Sequence, residues 1–230
     1  MDAIVLAGGL GQRLQSAIVD LPKPMAPVNG RPFLSYLLDY LNDSPATRCI
    51  LATGHMHEKI ASYYGDRYKD LNIAYSVEAE PLGTGGGLKQ AFTHVTSPDV
   101  FVVNGDTYFE VDLRKLLQAH SEKGADLTIA LKPMSDISRY GVVKVEACHI
   151  KSFEEKKEVA EGFINGGVYL ARRSLFDGFN LPEKFSFEET FLKQVVAKLQ
   201  VRAYFSDTYF IDIGIPQDYE RAQRELRRYE

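Results

Sequence analysis

Apolar and polar positions fall into two regimes along this chain of 230 residues. In the first regime, short apolar runs alternate with stretches of helical spacing. Ala3 to Ala7 is a five-residue apolar run that breaks into Gly8, Gly9 and Gly11, the pattern of a buried strand ending in a tight loop. Phe33, Leu34, Leu37, Leu38 and Leu41 recur at helical spacing, and Asn42-Asp43-Ser44-Pro45 ends that helix. Cys49 to Ala52 reads as a second strand, Gly54-His55-Met56-His57 opens a helix, and Ile73 to Val77 is a third strand. Leu88, Ala91, Phe92 and Val95 mark another amphipathic helix, and Val100 to Val103 is the most hydrophobic strand. Such alternation predicts a mostly parallel sheet with helices on both faces.

The second regime begins near residue 126. Leu127 to Leu131, Gly141 to Val145 and Ile150 to Phe153 follow one another through short connections, which predicts antiparallel pairs forming a lid over the edge of the sheet. Apolar residues at Phe187, Phe191, Leu192, Val195, Val196 and Leu199 predict a core-facing helix from Ser186 to Leu199, with a strand at Val201 to Phe205. A last apolar strand carries Asp212. Pro216 suits the first position of a final helix running to about Tyr229, although Ile215 offers no side-chain cap. The expected fold is α/β: a Rossmann-like mixed, mostly parallel sheet flanked by helices, with a small antiparallel lid. The expected organisation is a single domain over 1–230, with halves at about 1–125 and 126–230.

Composition bounds the function. With 45% apolar and 25% charged residues the chain is ordinary globular material. A formal charge of −4 and a pI near 5.8 disfavour nonspecific binding to nucleic acid or to a membrane surface, so any anion recognition must be local. No apolar run approaches the roughly 18 residues of a membrane span, and Met1-Asp2 lacks the basic start of a signal peptide, so a cytoplasmic location is expected. Cys49 and Cys148 lie far apart, without metal spacing and beside apolar residues, and are expected to be buried free thiols. His55 and His57 stand two apart, which does not put them on one helix face, and no third ligand lies nearby. His94, His120 and His149 have no nucleophile partner in the pattern, so triad chemistry is unsupported.

Several segments carry candidate chemistry. Arg13 follows the glycines at once and Lys23-Pro24 comes ten residues later, so two cations bracket a loop whose N–H groups can approach phosphate. A dinucleotide fingerprint is excluded by Leu14 at the third glycine position, and a P-loop by the missing Gly-Lys-Ser/Thr. On spacing alone the loop is either a phosphate cradle or a plain turn. Gly83, Gly85, Gly86 and Gly87 make a second glycine-rich stretch at a helix start, read as ligand-facing, with a flexible turn as the alternative. Asp106 follows the central strand, where open α/β sheets bind ligands and where a hard oxygen suits Mg²⁺; a helix or turn cap ahead of Asp112-Leu113 is the rival reading. An unpaired buried aspartate costs several kcal/mol, so Asp212 is read as a ligand or a hydrogen-bonded anchor. The run from Glu154 to Glu158 taken alone is a solvated surface.

Five segments in order, covering nearly the whole chain, resemble the sugar nucleotidyltransferases, which join a nucleoside triphosphate to a sugar 1-phosphate. They are Gly9-x-Gly11-x-Arg13-Leu14 with Lys23-Pro24, Pro81-Leu82-Gly83-Thr84, Asn104-Gly105-Asp106, Phe153-x-Glu155-Lys156 with Asn165-x-Gly167, and Asp212-x-Gly214-x-Pro216. The resemblance implies the nucleotide-diphospho-sugar transferase fold and a cytoplasmic enzyme with Mg²⁺ as cofactor. It places Leu6, Ala7, Gly8, Gly9, Gly11, Gln12 and Arg13 at the nucleotide, with Glu78, Glu80, Pro81, Gly83, Thr84 and Asp106. The sugar phosphate falls to Asn104, Gly105, Tyr140, Gly141, Glu155, Lys156, Asn165 and Gly166, and the metal to Asp106 and Asp212. Arg13 and Lys23 are the implied catalytic cations, for the leaving pyrophosphate and for charge at the α-phosphorus.

Within the family the chain resembles the short bacterial heptose 1-phosphate guanylyltransferases, which supply surface polysaccharide or S-layer glycans. This implies GTP as donor and D-glycero-α-D-manno-heptose 1-phosphate as acceptor. Mannose 1-phosphate or another sugar 1-phosphate, and a regulatory pseudoenzyme, are the alternatives, and monomer and homodimer stay open. The chain departs from the family pattern at Gln12, where threonine is usual, at Lys157, where proline is common, and at Ile215, where threonine would cap.

Overall fold

The computed structural model describes residues 1–9, 20–135, 140–154 and 161–229. The first half comprises β1 (Asp2–Leu6), a short hairpin of β2 (Pro27–Val28) and β3 (Arg31–Pro32), α1 (Phe33–Asn42), β4 (Arg48–Thr53) and α2 (His57–Tyr64). It continues with β5 (Arg67–Tyr68), β6 (Leu71–Val77), α3 (Gly83–Phe92), β7 (Asp99–Asn104), β8 (Thr107–Phe109) and α4 (Leu113–Glu122). The second half has β9 (Leu127–Ser135), β10 (Val142–Glu146), β11 (His149–Glu154) and β12 (Glu161–Arg172). A π-helical turn (Phe187–Leu192) then runs into α5 (Lys193–Val195), followed by β13 (Val201–Phe205), β14 (Phe210–Asp212) and α6 (Pro216–Glu225).

One sheet of ten strands, ordered β10-β11-β13-β9-β12-β7-β1-β4-β6-β5, carries the architecture. Strands β7, β1, β4 and β6 run parallel. Strands β7, β1 and β4 are buried on both faces, which is why they read as continuous apolar runs, whereas β6 (LNIAYSV) leaves Asn72 and Val77 exposed. Ala3 and Val5 face one core with Leu34, Leu37, Leu38 and Leu41 of α1, while Ile4 faces the other with Leu88 of α3, Ile50 and Val102. Burying each such aliphatic side chain contributes about 1.5–3 kcal/mol.

The antiparallel pairs of the second half continue this sheet through β12 beside β7, so the lid is an extension of the sheet and not a separate layer. Two strand relations were not expected. Strand β13 lies parallel to β9, and β8 pairs with β14 in a separate two-stranded ribbon that sets Asp212 opposite Thr107. Among the described residues no helix is long and apolar enough to cross a membrane.

Three local expectations are corrected. The periodic stretch after Ser186 forms a wide turn and a three-residue helix instead of one long helix. Ser186 caps it by accepting from Glu189 N at 3.1 Å, and Phe187 and Phe191 stack at 5.6 Å, a contact that both periods satisfy. Cys49 is buried but Cys148 is exposed. Ala147 and Cys148 have φ of 46° and 61°, the signature of a tight two-residue turn between β10 and β11, so apolar neighbours did not imply burial. Helix α2 begins at His57, leaving His55 ahead of it, and His57 Nδ1 lies 3.0 Å from Thr53 Oγ1.

Candidate active site

The carboxyl ends of β1, β6 and β7 open onto a cavity of about 660 Å³. Ligands of open α/β sheets bind at this edge. Leu6, Gly8 and Gly9 line it after β1, and Glu78 after β6. Pro81, Gly83, Thr84 and Gly87 line it at the entry to α3, and Asn104, Gly105 and Asp106 after β7. Asp212 and Gly214 after β14, with Lys23 and Pro24, complete the described wall at the other end.

At the α3 end, Glu78 is fixed by its own N–H, which donates to Thr53 O at 2.8 Å, and by Leu82 N, which donates to Oε2 at 2.9 Å. Its Oε1 lies between two glycines: a Cβ would stand 2.7 Å from it on Gly8 and 2.4 Å on Gly87. Burial raises the pKa of Glu78, against the opposing pull of the Leu82 N–H. A carboxyl oxygen, Oε1, thus lies at the cavity wall beside the glycine loop.

The glycine run has a second cause. The segment after β12 folds over the start of α3, where Gly85 N and Gly86 N donate to Phe185 O at 2.9 and 3.3 Å and Phe185 N donates to Leu82 O at 3.0 Å. Thr84 Oγ1 accepts from Phe187 N at 2.9 Å and donates to Glu188 Oε2 at 2.8 Å. A Cβ on Gly86 would stand 2.4 Å from Glu183 O, and on Gly83 2.6 Å from Phe185 O. Gly85 and Gly86 thus admit this strap, while Gly83 and Gly87 also line the cavity. The strap brings Lys184 to the cavity wall, a residue the sequence reading missed because it lies in a stretch without periodicity.

At the other end two acids converge. Gly105 N donates to Leu6 O at 3.0 Å, and a Cβ there would lie 2.3 Å from that oxygen, so only glycine lets the end of β7 close onto β1. Asp106 follows. Ile213 N donates to Asp106 O at 2.9 Å, and Gly214 N to Asp212 Oδ1 at 2.7 Å, which locks the β14 ribbon beside it. Lys23, on a single 3₁₀ turn, places Nζ 2.5 Å from Asp106 Oδ2 and 4.0 Å from Asp212 Oδ1. Burial and the neighbouring Asp106 charge push the Asp212 pKa up to about 6, with Lys23 pulling the other way. The ammonium stands against Asp106 and 4.0 Å from Asp212, and carboxylate oxygens are hard donors of the kind Mg²⁺ takes. Asp106 is not the helix cap, since Asp112 caps α4 through Arg114 N and Lys115 N.

The remaining expected residues are placed as follows. Ala7 is buried, its N–H donating to Ala52 O at 2.8 Å. Asn165 and Gly166 lie in an irregularity of β12, and a Cβ on Gly166 would strike the Phe109 ring at 2.2 Å. Tyr140 packs against Phe210 with ring centroids 6.0 Å apart, and Gly141 lies against Glu154 O. Glu80 is exposed on the loop before α3 and is not part of the described cavity wall. Gly11, Gln12, Arg13, Glu155, Lys156 and Lys157 fall outside the described residues.

The Nucleotidyl transferase family model fits residues 2–228, and the chain belongs to that family. It is 50% identical to the D-glycero-alpha-D-manno-heptose 1-phosphate guanylyltransferase of Aneurinibacillus thermoaerophilus over 229 residues, covering all of both chains. To the enzyme of the same name from Campylobacter jejuni subsp. jejuni serotype O:2 it is 48% identical, over 95% of this chain and 97% of the relative. The crystal structure of HddC from Yersinia pseudotuberculosis complexed with GMP-PN superposes with a TM-score of 0.87 at 35% identity, covering 98% and 99% of the two chains.

Proposed function

We propose that the protein is a sugar 1-phosphate guanylyltransferase that transfers GMP from GTP to D-glycero-α-D-manno-heptose 1-phosphate, releasing pyrophosphate. The observation that carries this reading is the full-length likeness to heptose 1-phosphate guanylyltransferases, set on a cavity that joins a glycine loop to an acid pair and a lysine. An oxygen of the sugar phosphate attacks the α-phosphorus, its bond to the pyrophosphate oxygen breaks, and the pyrophosphate departs. No side-chain nucleophile is needed, because a phosphate monoester is already anionic at neutral pH, and the chain supplies position and charge.

Gly8 and Gly9 leave room for the nucleotide backbone, and Lys23, once drawn off Asp106, faces the negative charge around the α-phosphorus. Lys184 adds a cation on the strap side. Asp106 and Asp212 would hold Mg²⁺, whose contribution is to neutralise phosphate charge. Arg13 and Lys156 are proposed for the pyrophosphate and the sugar phosphate. The reaction draws on nucleotide pools of the cytoplasm, where we place the protein.

Glu78 is the proposed reader of guanine, since Oε1, which accepts no hydrogen bond among the described residues, suits the adjacent N–H donors of that base. Glu78→Gln removes the charge and keeps one acceptor. The expected result is a fall in kcat/KM for GTP of about 10- to 100-fold, the worth of a hydrogen bond to a charged group, with slow turnover of ATP unchanged. Equal loss for both nucleotides would assign Glu78 to structure alone.

The reading as a whole is tested by pyrophosphate release, crossing four nucleoside triphosphates with heptose, mannose and glucose 1-phosphates. GTP with the heptose should give the highest kcat/KM. A higher value with mannose 1-phosphate overturns the sugar, a higher value with another nucleotide overturns the base, and no release with any pair overturns the activity.

A further inference from the structure

Helix α3 begins without a cap of its own. Leu82 precedes it and offers no side-chain hydrogen bond, and four of its first five residues are glycine, the poorest helix former after proline. The free N–H groups of such a start must find acceptors elsewhere. Gly85 N and Gly86 N find one in Phe185 O, at 2.9 and 3.3 Å, so the strap supplies the cap from the other half of the chain.

The exchange runs both ways. Thr84 is the one residue among those five with a side chain, and its Oγ1 accepts from Phe187 N at 2.9 Å, at the first residue of the π-helical turn. The Thr84 hydroxyl proton goes to Glu188 Oε2 at 2.8 Å, and the hydroxyl of Ser186, which caps the same turn, donates to that oxygen at 3.2 Å. Each hydroxyl has one proton to give, and each gives it to Glu188. Two helical starts from opposite halves of the chain thus cap one another, with one carboxylate as the shared acceptor.

Lys184 lies inside this exchange. Before it, Glu183 O packs on Gly86, where a Cβ would stand 2.4 Å away. After it, Phe185 is buried with its ring on Gly85, where a Cβ would stand 2.2 Å from Cε2. Close packing on both sides fixes Lys184 in a segment that has no helix or strand to do so. Lys184 lines the cavity, and it makes no hydrogen bond or ion pair among the described residues. A cation without a protein partner at a cavity wall suits an anion, and both substrates of the proposed reaction carry phosphate.

We propose that Glu188 is a positioning residue: by accepting from Thr84 and Ser186 it locks the mutual cap, and the cap holds Lys184 at the cavity wall for a substrate phosphate. Glu188 is not part of the described cavity wall and touches no substrate. Thr84 does line the cavity, but its proton is committed to Glu188, so its hydroxyl serves the strap. The proposal rests on the reading of the site as one for nucleotidyl transfer, with Lys184 as its strap-side cation.

The test is steady-state kinetics on Lys184→Ala, Glu188→Ala, Glu188→Gln and the double alanine variant, with GTP and heptose 1-phosphate varied in turn, and thermal unfolding of each. Lys184→Ala should raise the KM of one substrate roughly tenfold, the worth of a hydrogen bond to a charged group, and the substrate that responds tells whether the phosphate is that of the nucleotide or of the sugar. Glu188→Ala should raise the same KM about threefold or more, with the other KM, kcat and the Tm near the wild type. Glu188→Gln keeps an oxygen for both hydroxyls and should stay within about twofold of the wild type. The double variant should be no worse than Lys184→Ala, because the glutamate acts through the lysine.

Four results each overturn the inference: a Lys184→Ala that raises neither KM or both alike, a Glu188→Ala that spares the KM raised by Lys184→Ala or damages both with a lowered Tm, a Glu188→Gln as impaired as Glu188→Ala, and additive effects in the double variant. Wild-type protein that releases no pyrophosphate from this pair overturns it together with the functional reading, whereas any of the four in an active wild type overturns the inference alone.

Discussion

Asp212→Asn should yield a protein that is nearly inactive and, without metal, more stable than the wild type at neutral pH. Activity should fall by at least about 10²- to 10³-fold, the scale on which loss of one preorganised electrostatic group acts. Stability moves the other way because the folded chain holds Asp212 against burial and against Asp106, with its pKa raised from 3.8 to about 6. Between those two pH values the folded state keeps a proton that the unfolded state has lost, so wild-type stability falls as pH rises through this window and stays reduced above it.

Asparagine carries no charge and removes that slope. The expected gain above pH 6 is on the order of 2 kcal/mol, or several degrees in Tm for a chain of this length, closing again below pH 4. Thermal unfolding in chelator at several pH values measures it. Adding Mg²⁺ should raise the Tm of the wild type and leave the variant unmoved. A variant that kept Mg²⁺-dependent turnover would remove Asp212 from the metal site.

Gly105→Ala is the second change with a large expected effect. Its Cβ would meet Leu6 O at 2.3 Å, Leu6 C at 3.1 Å and Ala7 Cα at 3.3 Å, all of them backbone. Neither strand can yield cheaply, because β1 and β7 are paired in parallel from Asp2 opposite Val100 to Leu6 opposite Asn104. A destabilisation of about 3 kcal/mol is expected, at the upper end of what overpacking costs, with loss of activity as Asp106 is displaced. Gly9→Ala is the matched comparison, since among the described residues nothing lies within 4 Å of its added Cβ. It should leave the Tm within about a degree. Equal Tm losses in the two variants would show that the close approach of β1 and β7 does not set the need for glycine at 105.

The parallel half of the sheet was legible in the sequence because β1, β4 and β7 are buried on both sides. Apolar runs at Ala3 to Ala7, Cys49 to Ala52 and Val100 to Val103 need no pairing information to be recognised, and α1 announced itself by its period. What periodicity does not carry is the partner. The ribbon of β8 and β14, the parallel pairing of β13 with β9, and the docking of Phe185 against Gly85 and Gly86 join residues far apart in the chain, so no local pattern encodes them.

The acids Asp106 and Asp212 stood out as isolated charges on apolar strands. Lys184 did not, since a lysine between loops is normally solvated. Cys148 misled for a related reason: a turn between two strands can sit beside apolar residues and still face water.

The ribbon that sets Asp212 beside Asp106 has a consequence for the chain during its synthesis. A ribosome-bound chain extended only through β13 already has the material for all ten strands of the main sheet, yet Asp106 still lacks its carboxylate partner and Lys23 has a single acid to rest on. The acid pair arises only when β14 docks on β8 and Ile213 N finds Asp106 O. Capacity to hold a divalent cation should therefore appear late and abruptly in a series of nascent chains of increasing length, after most of the sheet is in place.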